Sequence, residues 1–227
     1  MSLKGTSSIS AFSIWRTDLA ARITDVSLDP CGCGARISVV LTDGEKRIYT
    51  VSENCYKDWK KAEGNTVSGE ELTSLESLAE NRSALVKALQ LLEYGELTEK
   101  GLALKLRTRG FSAESAENAV AQIKAKGLIR EEDFADRAVR YYVEKKNYGR
   151  SKIMAEMFKK GFSKDNVDSA LGKLTDDEIV DACRRHICRN RSLTVKLNGD
   201  AENRKKAYAA LIRQGFTVSE IKEAEKG

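Results

Sequence analysis

A six-residue pattern occurs three times in this chain and constrains its fold. Each copy starts with an apolar residue, continues with three mostly polar or basic residues and ends in Gly-Phe: Leu106–Phe111, Met157–Phe162 and Leu211–Phe216. The pattern is typical of a Schellman turn at a helix end, because glycine enters the left-handed region freely and the residue after it contacts the apolar residue one turn back. A Ser or Thr, both preferred N-caps, follows each Phe. The sequence therefore predicts three turns that each join two helices.

The spacing of these turns predicts small repeated modules. The Gly-Phe pairs lie 51 and 54 residues apart, and the 227-residue chain holds a single proline. We therefore predict a mainly α fold, with three tandem three-helix repeat units in an extended array, preceded by a small β-rich N-terminal segment. The predicted divisions are a flexible tail (1–19), the β-rich segment (20–76), repeat 1 (77–127), repeat 2 (128–174) and repeat 3 (175–227).

The β-rich segment shows strand-like patterns around a hairpin turn. Apolar residues alternate over 21–28, the stretch 36–41 is rich in β-branched residues, and Asp43-Gly44 precedes another short run at 46–51. The residues predicted to face inward are Ile23, Val26, Leu28, Ile48 and Val51. Helical periodicity is predicted to begin at Ser77.

Three further predictions concern the later repeats. Tyr141 is assigned to the core, because it stands seven residues after Phe134 on one helix face. The stretch Arg191–Gly199 is predicted to be a loop. The last helix is predicted to be weakly packed, because Glu225 stands where the earlier repeats have Val120 and Leu171.

Charge is distributed unevenly along the chain. The net charge is +5, but residues 63–99 contain eight acidic and two basic residues, whereas residues 184–213 contain nine basic and two acidic residues. This asymmetry favours an electrostatic partner for the C-terminal half, such as nucleic acid or a nucleoprotein, although basic residues that merely solvate helices give a similar pattern. No long apolar run and no signal peptide are evident, so we expect a cytoplasmic protein without membrane contact, and a monomer.

The sequence gives no support for catalysis or a cofactor. His186 is the only histidine, and no phosphate-binding glycine loop or nucleophile motif occurs. The five cysteines lack the paired Cys-x-x-Cys spacing of common zinc sites, although Cys31-Gly-Cys33 carries metal-capable side chains. We therefore predict a protein that is not an enzyme and has no metal or cofactor.

Motifs in the middle of the chain resemble a known family. They are Leu128–Ala135 (LIREEDFA), Gly149–Ile153 (GRSKI) and Lys159–Phe162 (KKGF). Together they resemble the RecX family, bacterial regulators of the RecA recombinase, and the likeness extends over residues 23–225. The chain departs from the family pattern at Arg130, where Asp, Asn or Ser is usual, and at Ala138, where a larger aromatic residue is common.

The resemblance implies a non-catalytic function. It implies a negative regulator that binds in the groove of RecA–single-stranded DNA filaments and limits filament growth, ATPase, strand exchange and co-protease activity, with roles in DNA repair, homologous recombination and the SOS response. A string of small helical modules can follow a groove, since each contacts mainly its neighbours. The alternative is a helical module that binds DNA directly. Against that alternative, the helices predicted after the Gly-Phe turns carry acidic residues, such as Glu114, Glu117, Glu220 and Glu223.

Basic residues near tyrosines are the candidate contacts with the filament or its DNA. Basic side chains beside exposed aromatic rings can bind phosphate, and the rings can stack on bases. In the middle repeat they accompany Tyr141, Tyr142 and Tyr148, and in the last repeat they form the densest basic set. The candidates are Arg137, Arg140, Lys145, Lys146, Arg150, Lys152, Arg184, Arg185, Arg189, Arg191, Arg204, Lys205 and Lys206.

Overall fold

A computed structural model describes residues 21–28, 34–59 and 61–226 of the chain. The chain divides into two compact units, one formed by residues 1–89 with 106–121 and the other by residues 90–105 with 122–227. The predicted tail (1–19) and the Cys31-Gly-Cys33 motif lie outside the described residues. The predicted limits of the tail, the β-rich segment and the repeats stay predictions.

The predicted fold class is confirmed: a small sheet precedes a long series of helices. The strands are β1 (Ala21–Leu28), β2 (Ala35–Leu41), β3 (Lys46–Val51) and β4 (Thr66–Val67). The helices are α1 (Glu53–Trp59), α2 (Gly69–Glu93), α3 (Glu99–Arg107), α4 (Ala113–Ala125), α5 (Glu131–Tyr141), α6 (Arg150–Lys159), α7 (Lys164–Gly172), α8 (Asp176–Arg189), α9 (Arg191–Leu197), α10 (Ala201–Arg213) and α11 (Val218–Lys226). A π turn (Tyr142–Lys146) follows α5 directly.

The sheet is antiparallel, with strand order β3-β2-β1-β4. The predicted hairpin turn at Asp43-Gly44 joins β2 to β3. Ile23 and Val51 are buried as predicted, but Leu28 and Ile48 are exposed. A bulge in β1 after Ile23 shifts the alternation so that Leu28 pairs with the buried Ala35. Leu28 therefore lies on the inner face, but as the last residue of β1 it stays 53% exposed. Ile48 and Val51 are three residues apart on one strand, so they point to opposite faces and cannot both be buried.

Helix α2 begins eight residues earlier than predicted, at Gly69 instead of Ser77. Its start is a capping box: the backbone N–H of Glu71 donates to Ser68 Oγ (3.3 Å), and the Ser68 N–H donates to the Glu71 carboxylate (2.8 Å). The first two turns bury Leu72 and Leu75 in the core of the sheet. The helix therefore belongs in part to the β-rich segment.

The three Gly-Phe turns have the predicted hydrogen bonds. The phenylalanine N–H donates to the carbonyl five residues back at 3.4, 3.3 and 3.3 Å for Phe111, Phe162 and Phe216. The preceding glycines donate to the carbonyl three residues back, and their φ angles are 93°, 86° and 92°. This is the Schellman pattern, so the prediction of left-handed glycines is confirmed. Ser112, Ser163 and Thr217 cap the following helices with their hydroxyl oxygens.

Two of these turns lie against the start of an earlier helix. The turn after α6 meets the start of α3, where Thr98 Oγ1 donates to Lys160 O (2.7 Å) and accepts from Gly101 N–H (2.9 Å). The turn after α10 meets the start of α6, where Gly149 N–H donates to Gln214 O (2.9 Å). We call these two contacts the α3–α6 joint and the α6–α10 joint. They connect α3, α6 and α10 in series.

Two predictions for the last repeat are wrong. The stretch predicted to be a loop contains α9, which Asn190 caps and which buries Leu193 and Leu197. The last helix, α11, is well packed, with Ile221 and Ala224 buried. Its Glu225 stays at the surface, where the carboxylate accepts hydrogen bonds from Arg204 (3.2 Å) and Tyr208 (2.5 Å).

Candidate partner-binding surface

The end of α5 has an unusual backbone that displays two lysines. The helix continues into the π turn, which has one extra residue in its hydrogen-bonded ring, a feature frequently found at functional sites. Asn147 ends this turn in the left-handed conformation (φ 52°), and its side chain is buried. Lys145 and Lys146 immediately precede it and are exposed. The π turn therefore projects both ammonium groups towards solvent.

Helix α8 fixes this turn from the side. Arg185 Nε donates to Asn147 Oδ1 (3.0 Å), and Arg185 Nη2 donates to Val143 O (3.3 Å). One turn further along α8, Arg189 Nη1 lies 3.5 Å from Lys145 O. The end of α8 and the π turn thus place Lys145, Lys146 and Arg189 together, and Arg191 follows at the start of α9. We call these four exposed residues the basic corner; Glu144 is the exposed acidic residue within it.

Three tyrosine rings beside the π turn each have a lysine over them. Lys146 Nζ lies 5.6 Å from the centre of the Tyr141 ring, Lys160 Nζ 5.4 Å from that of Tyr142, and Lys152 Nζ 5.8 Å from that of Tyr148. The rings of Tyr142 and Tyr148 are stacked, with centres 5.9 Å apart and planes inclined by 14°. These cation–π contacts hold positive charge close to apolar rings.

The prediction that Tyr141 is a core residue is wrong. Its side chain is 46% exposed, whereas Tyr142 is 6% exposed. The buried face of α5 runs through Ala135, Ala138 and Val139, and continues seven residues after Ala135 at Tyr142. Tyr141 therefore offers an aromatic surface next to Lys146.

Most of the other predicted contacts are already engaged within the protein. Their carboxylate partners are Glu96 for Arg137, Glu178 for Arg140, Asp176 and Glu220 for Arg150, Glu156 for Lys152, Asp181 for Arg184, Glu225 for Arg204 and Glu202 for Lys206. Arg150 also donates to Leu174 O (3.1 Å), which joins the start of α6 to the end of α7. Pairing reduces the charge that these residues can offer to a partner.

The predicted residues thus fall into two groups. Four of them form the basic corner and make no ion pair among the described residues: Lys145, Lys146, Arg189 and Arg191. Lys205 is exposed on α10 and does not belong to the basic corner. Arg185 is a structural residue, because both of its contacts hold the π turn. Sequence reasoning missed Asn147 and Lys160, although an asparagine at a helix end is a known signal for the left-handed conformation.

The described residues contain no group of three or more His, Cys, Asp or Glu side chains arranged to hold a metal ion. Burial lowers the pKa of His186, which favours the neutral imidazole. Burial also raises the pKa of Cys183 to about 12, so this thiol stays protonated and packs as a small apolar side chain. Within the ranges described, no helix combines the length and the apolar character needed to cross a membrane.

Comparison with known proteins gives one consistent family. A family profile described as RecX, first three-helix domain, matches residues 84–122. The regulatory protein RecX of Caldanaerobacter subterraneus subsp. tengcongensis is 30% identical over 166 residues, which cover 71% of this chain and 79% of that protein. The regulatory protein RecX of Chlorobium phaeobacteroides is 30% identical over 146 residues, covering 63% and 92% of the two chains.

Solved structures agree with this fold. A crystal structure of regulatory protein RecX superimposes with a TM-score of 0.72 at 18% identity and covers 91% of this chain and 100% of that one. The crystal structure of RecX from Lactobacillus salivarius gives a TM-score of 0.57 at 20% identity, covering 65% and 95% of the two chains. At these identities the superpositions show a shared arrangement of helices, not a shared binding surface.

Proposed function

The chain belongs to the RecX family of regulatory proteins, and from this premise we propose that it is a negative regulator of the RecA recombinase. In this proposal it binds in the groove of RecA–single-stranded DNA filaments and limits filament growth, ATPase, strand exchange and co-protease activity. The regulator would act in the cytoplasm during DNA repair, homologous recombination and the SOS response. It needs no chemistry of its own, because binding alone can hold neighbouring filament subunits in one state.

The observation that carries this proposal is the basic corner. Two different helices and the π turn bring Lys145, Lys146, Arg189 and Arg191 to one place, without carboxylate partners among the described residues. Unpaired cations on a rigid support are suited to phosphates or to an acidic protein surface, because no internal ion pair has to be broken first. The paired arginines Arg137, Arg140 and Arg150 contribute less, since their charges are already matched.

Direct DNA binding is the competing function, and one observation favours it. Tyr141 is 46% exposed beside Lys146, and an aromatic ring with a neighbouring cation can stack on a base while the cation contacts phosphate. The two functions differ in the partner that the basic corner would contact. A filament regulator acts on the assembled nucleoprotein, whereas a DNA-binding module acts on the bare strand.

The deciding experiment titrates the protein into a RecA ATPase assay on single-stranded DNA at two salt concentrations, with its binding to the same DNA measured in parallel. The proposal expects inhibition at concentrations well below those that coat the free DNA. Inhibition that appears only as the DNA becomes saturated would support direct DNA binding instead.

A charge-reversal variant tests whether the basic corner makes the contact. We expect Lys145→Glu/Lys146→Glu/Arg191→Glu to weaken ATPase inhibition by tenfold or more, because repulsion replaces attraction at three positions. The matched control is Lys126→Glu/Lys164→Glu/Lys222→Glu, which makes the same change in net charge at exposed positions elsewhere in the chain. Equal losses in both variants would mean that net charge matters and that the basic corner is not the contact.

A further inference from the structure

A groove between α9 and α10 opens next to the basic corner. It exists because residues 191–199 contain a helix instead of the predicted loop. Residues three and four apart share a helix face, so Ser192, Val195 and Lys196 are brought to one side of α9. The groove has a volume of about 520 Å³ and is lined by Arg191, Ser192, Val195, Lys196 and Asn203. Because Arg191 belongs to both, the groove continues the basic corner.

The charged side chains that line the groove are positive. Arg191 is exposed and Lys196 is half-buried, and neither pairs with a carboxylate of the described residues. No described residue in the lining is acidic. Two acidic residues lie nearby in the sequence, at the start of α10, and both are engaged. The Asp200 carboxylate accepts from the Asn203 backbone N–H (2.8 Å), and Glu202 pairs with Lys206 (2.6 Å).

Two neutral donors and one apolar side chain complete the lining. The Ser192 hydroxyl and the Asn203 amide can each donate a hydrogen bond, and neither side chain makes one with the described residues. Gly199 lies against Asn203, since an added Cβ would be 3.2 Å from Asn203 Cβ. This close approach limits the movement of the amide. Val195 is 64% exposed and gives the groove an apolar patch.

This set of side chains matches a sugar-phosphate unit. Contacts with the phosphates of nucleic acids come from Arg, Lys, Ser and Asn side chains, which are the four polar residue types of the groove. A strand carries a phosphate at every nucleotide, so it can follow the cations from the groove over the basic corner. Carboxylates on a folded partner have fixed positions and would have to match cations on the π turn, α8 and α9 at the same time.

We propose that the groove between α9 and α10 is a phosphodiester site for single-stranded DNA. Arg191 and Lys196 neutralise phosphate, the Ser192 and Asn203 side chains donate to its oxygens, and Val195 contacts the sugar. The strand continues from the groove over the basic corner. This assignment rests on the proposed function, because it identifies the single strand within the filament as the partner of the basic corner. No described aromatic residue lines the groove, so binding there is independent of base sequence.

The salt dependence of DNA binding tests the two cations. Fluorescence anisotropy of a labelled oligothymidine strand, without RecA, gives log K at several salt concentrations. For Arg191→Gln/Lys196→Gln we expect the slope of log K against log salt to become about 1.4 shallower, since each phosphate contact on a single strand contributes about 0.7. The control, Lys164→Gln/Lys222→Gln, removes the same charge at exposed positions outside the groove. Equal slopes for the two variants, or no binding by the wild-type protein at low salt, overturn the proposal.

Two further variants separate hydrogen bonding from charge. We expect Ser192→Ala/Asn203→Ala to weaken binding several-fold with an unchanged salt slope, because it removes donors and no charge. Val195→Lys adds a cation to the groove and should make the slope about 0.7 steeper. Its control is Ile212→Lys, which adds the same charge at a 48% exposed position of α10 outside the groove. A gain in binding cannot result from misfolding, so Val195→Lys that binds no better than Ile212→Lys overturns the proposal.

The same variants in the RecA ATPase assay distinguish this site from the proposed function. If Arg191→Gln/Lys196→Gln loses inhibition but binds the oligothymidine as tightly as wild type, the groove contacts an acidic surface of RecA. That outcome overturns the phosphodiester site and leaves the regulatory function standing. If the DNA-binding results are as expected but the wild-type protein does not inhibit the ATPase, the phosphodiester site stands and the regulatory function fails.

Discussion

The turns after α10 and α3 have the same sequence pattern and the same hydrogen bonds, yet their surroundings differ. At Gly215-Phe216 the backbone touches the start of α6, and Phe216 is 3% exposed. At Gly110-Phe111, a Cβ added to Gly110 meets no atom of the described residues within 4 Å beyond its two chain neighbours. The local motif therefore ends a helix in both places, but only the neighbouring helix start makes the turn part of the core. Substitutions in the two turns should therefore separate two contributions to the free energy of unfolding: the backbone conformation of the turn, and its packing against a neighbouring helix start.

The largest effect is expected for Gly149→Ala, in the α6–α10 joint. Gly149 has an ordinary φ of −80°, so alanine brings no backbone strain of its own, but its Cβ would lie 2.2 Å from Gly215 O. The overlap is with backbone, which cannot rotate away, so the joint has to open. We expect a loss of about 3 kcal/mol or more in the free energy of unfolding, measured by urea denaturation.

The control for this variant is Gly172→Ala at the end of α7. Outside its own helix, an added Cβ there meets no atom of the described residues within 4 Å, and Gly172 has no positive φ. We therefore expect stability to be unchanged or slightly raised. If Gly149→Ala is as stable as Gly172→Ala, the two helices are not in contact at this joint.

The second prediction compares valine at Gly161 and at Gly110. Both glycines have a positive φ, so a β-branched residue costs about 1 kcal/mol or more from strain at either position. Gly161→Val should cost roughly 1 kcal/mol more than Gly110→Val, because its Cβ also meets Lys100 Cβ and Thr98 Oγ1 at 3.0 Å. Thermal unfolding of the two variants side by side gives this difference; equal melting temperatures would show that the α3–α6 joint adds nothing to the local strain.

The third prediction compares two N-caps. Thr98 is 1% exposed and its hydroxyl makes two hydrogen bonds, to Lys160 O and from Gly101 N–H, whereas the exposed Asp200 caps α10 alone. We expect Thr98→Val to cost about 2 kcal/mol, because it removes both hydrogen bonds of a hydroxyl that is itself buried. Asp200→Ala should cost about 1 kcal/mol, the usual value for a lost cap. The comparison fails if urea denaturation gives Asp200→Ala the larger loss.

The sequence predicts the local features of this fold well. The Gly-Phe turns, their serine and threonine caps and the hairpin at Asp43-Gly44 all form as predicted, because each depends on residues within one or two turns of the chain. The early start of α2 was also readable, since Ser68 and Glu71 have the spacing of a capping box. The start of α9 was signalled more weakly, by Asn190 alone.

The candidate surface is much less predictable, because it depends on residues that are distant in sequence. Nothing near Arg137 or Arg140 reveals that Glu96 and Glu178, 41 and 38 residues away, neutralise them. Hydrophobic periodicity does not predict the π turn either. The buried face of α5 continues regularly to Tyr142, and the backbone hydrogen bonding changes to the π pattern only from there. Sequence therefore found the basic residues, and the structure shows which four of them share one corner without a carboxylate partner among the described residues.

The smallest predicted effect concerns a cap that lies outside both joints. The carboxylate of Glu178 accepts from Thr175 N–H (2.9 Å) in the capping box of α8 and also pairs with Arg140. The hydrogen bond from the Thr175 backbone is the main cause of the lowered pKa of Glu178, and Arg140 lowers it further. A carboxylate whose pKa falls on folding stabilises the folded state above its ordinary pKa of 4.5, and this contribution is lost as the pH falls through the lower, folded value.

We therefore expect Glu178→Gln to reduce stability at neutral pH by about 0.5 kcal/mol, since the group lies near the surface and water screens its charge. The difference from wild type should shrink as the pH falls below 4.5, where the wild-type carboxylate takes up a proton and resembles the amide. Urea midpoints measured across this range, with the exposed Glu132→Gln as control, test the sign. A difference that grows at acid pH would mean that the unfolded chain, not the capping box, holds the ionised carboxylate more strongly. A loss as large as that of Gly149→Ala would show that caps, and not joints, dominate the stability of these repeats.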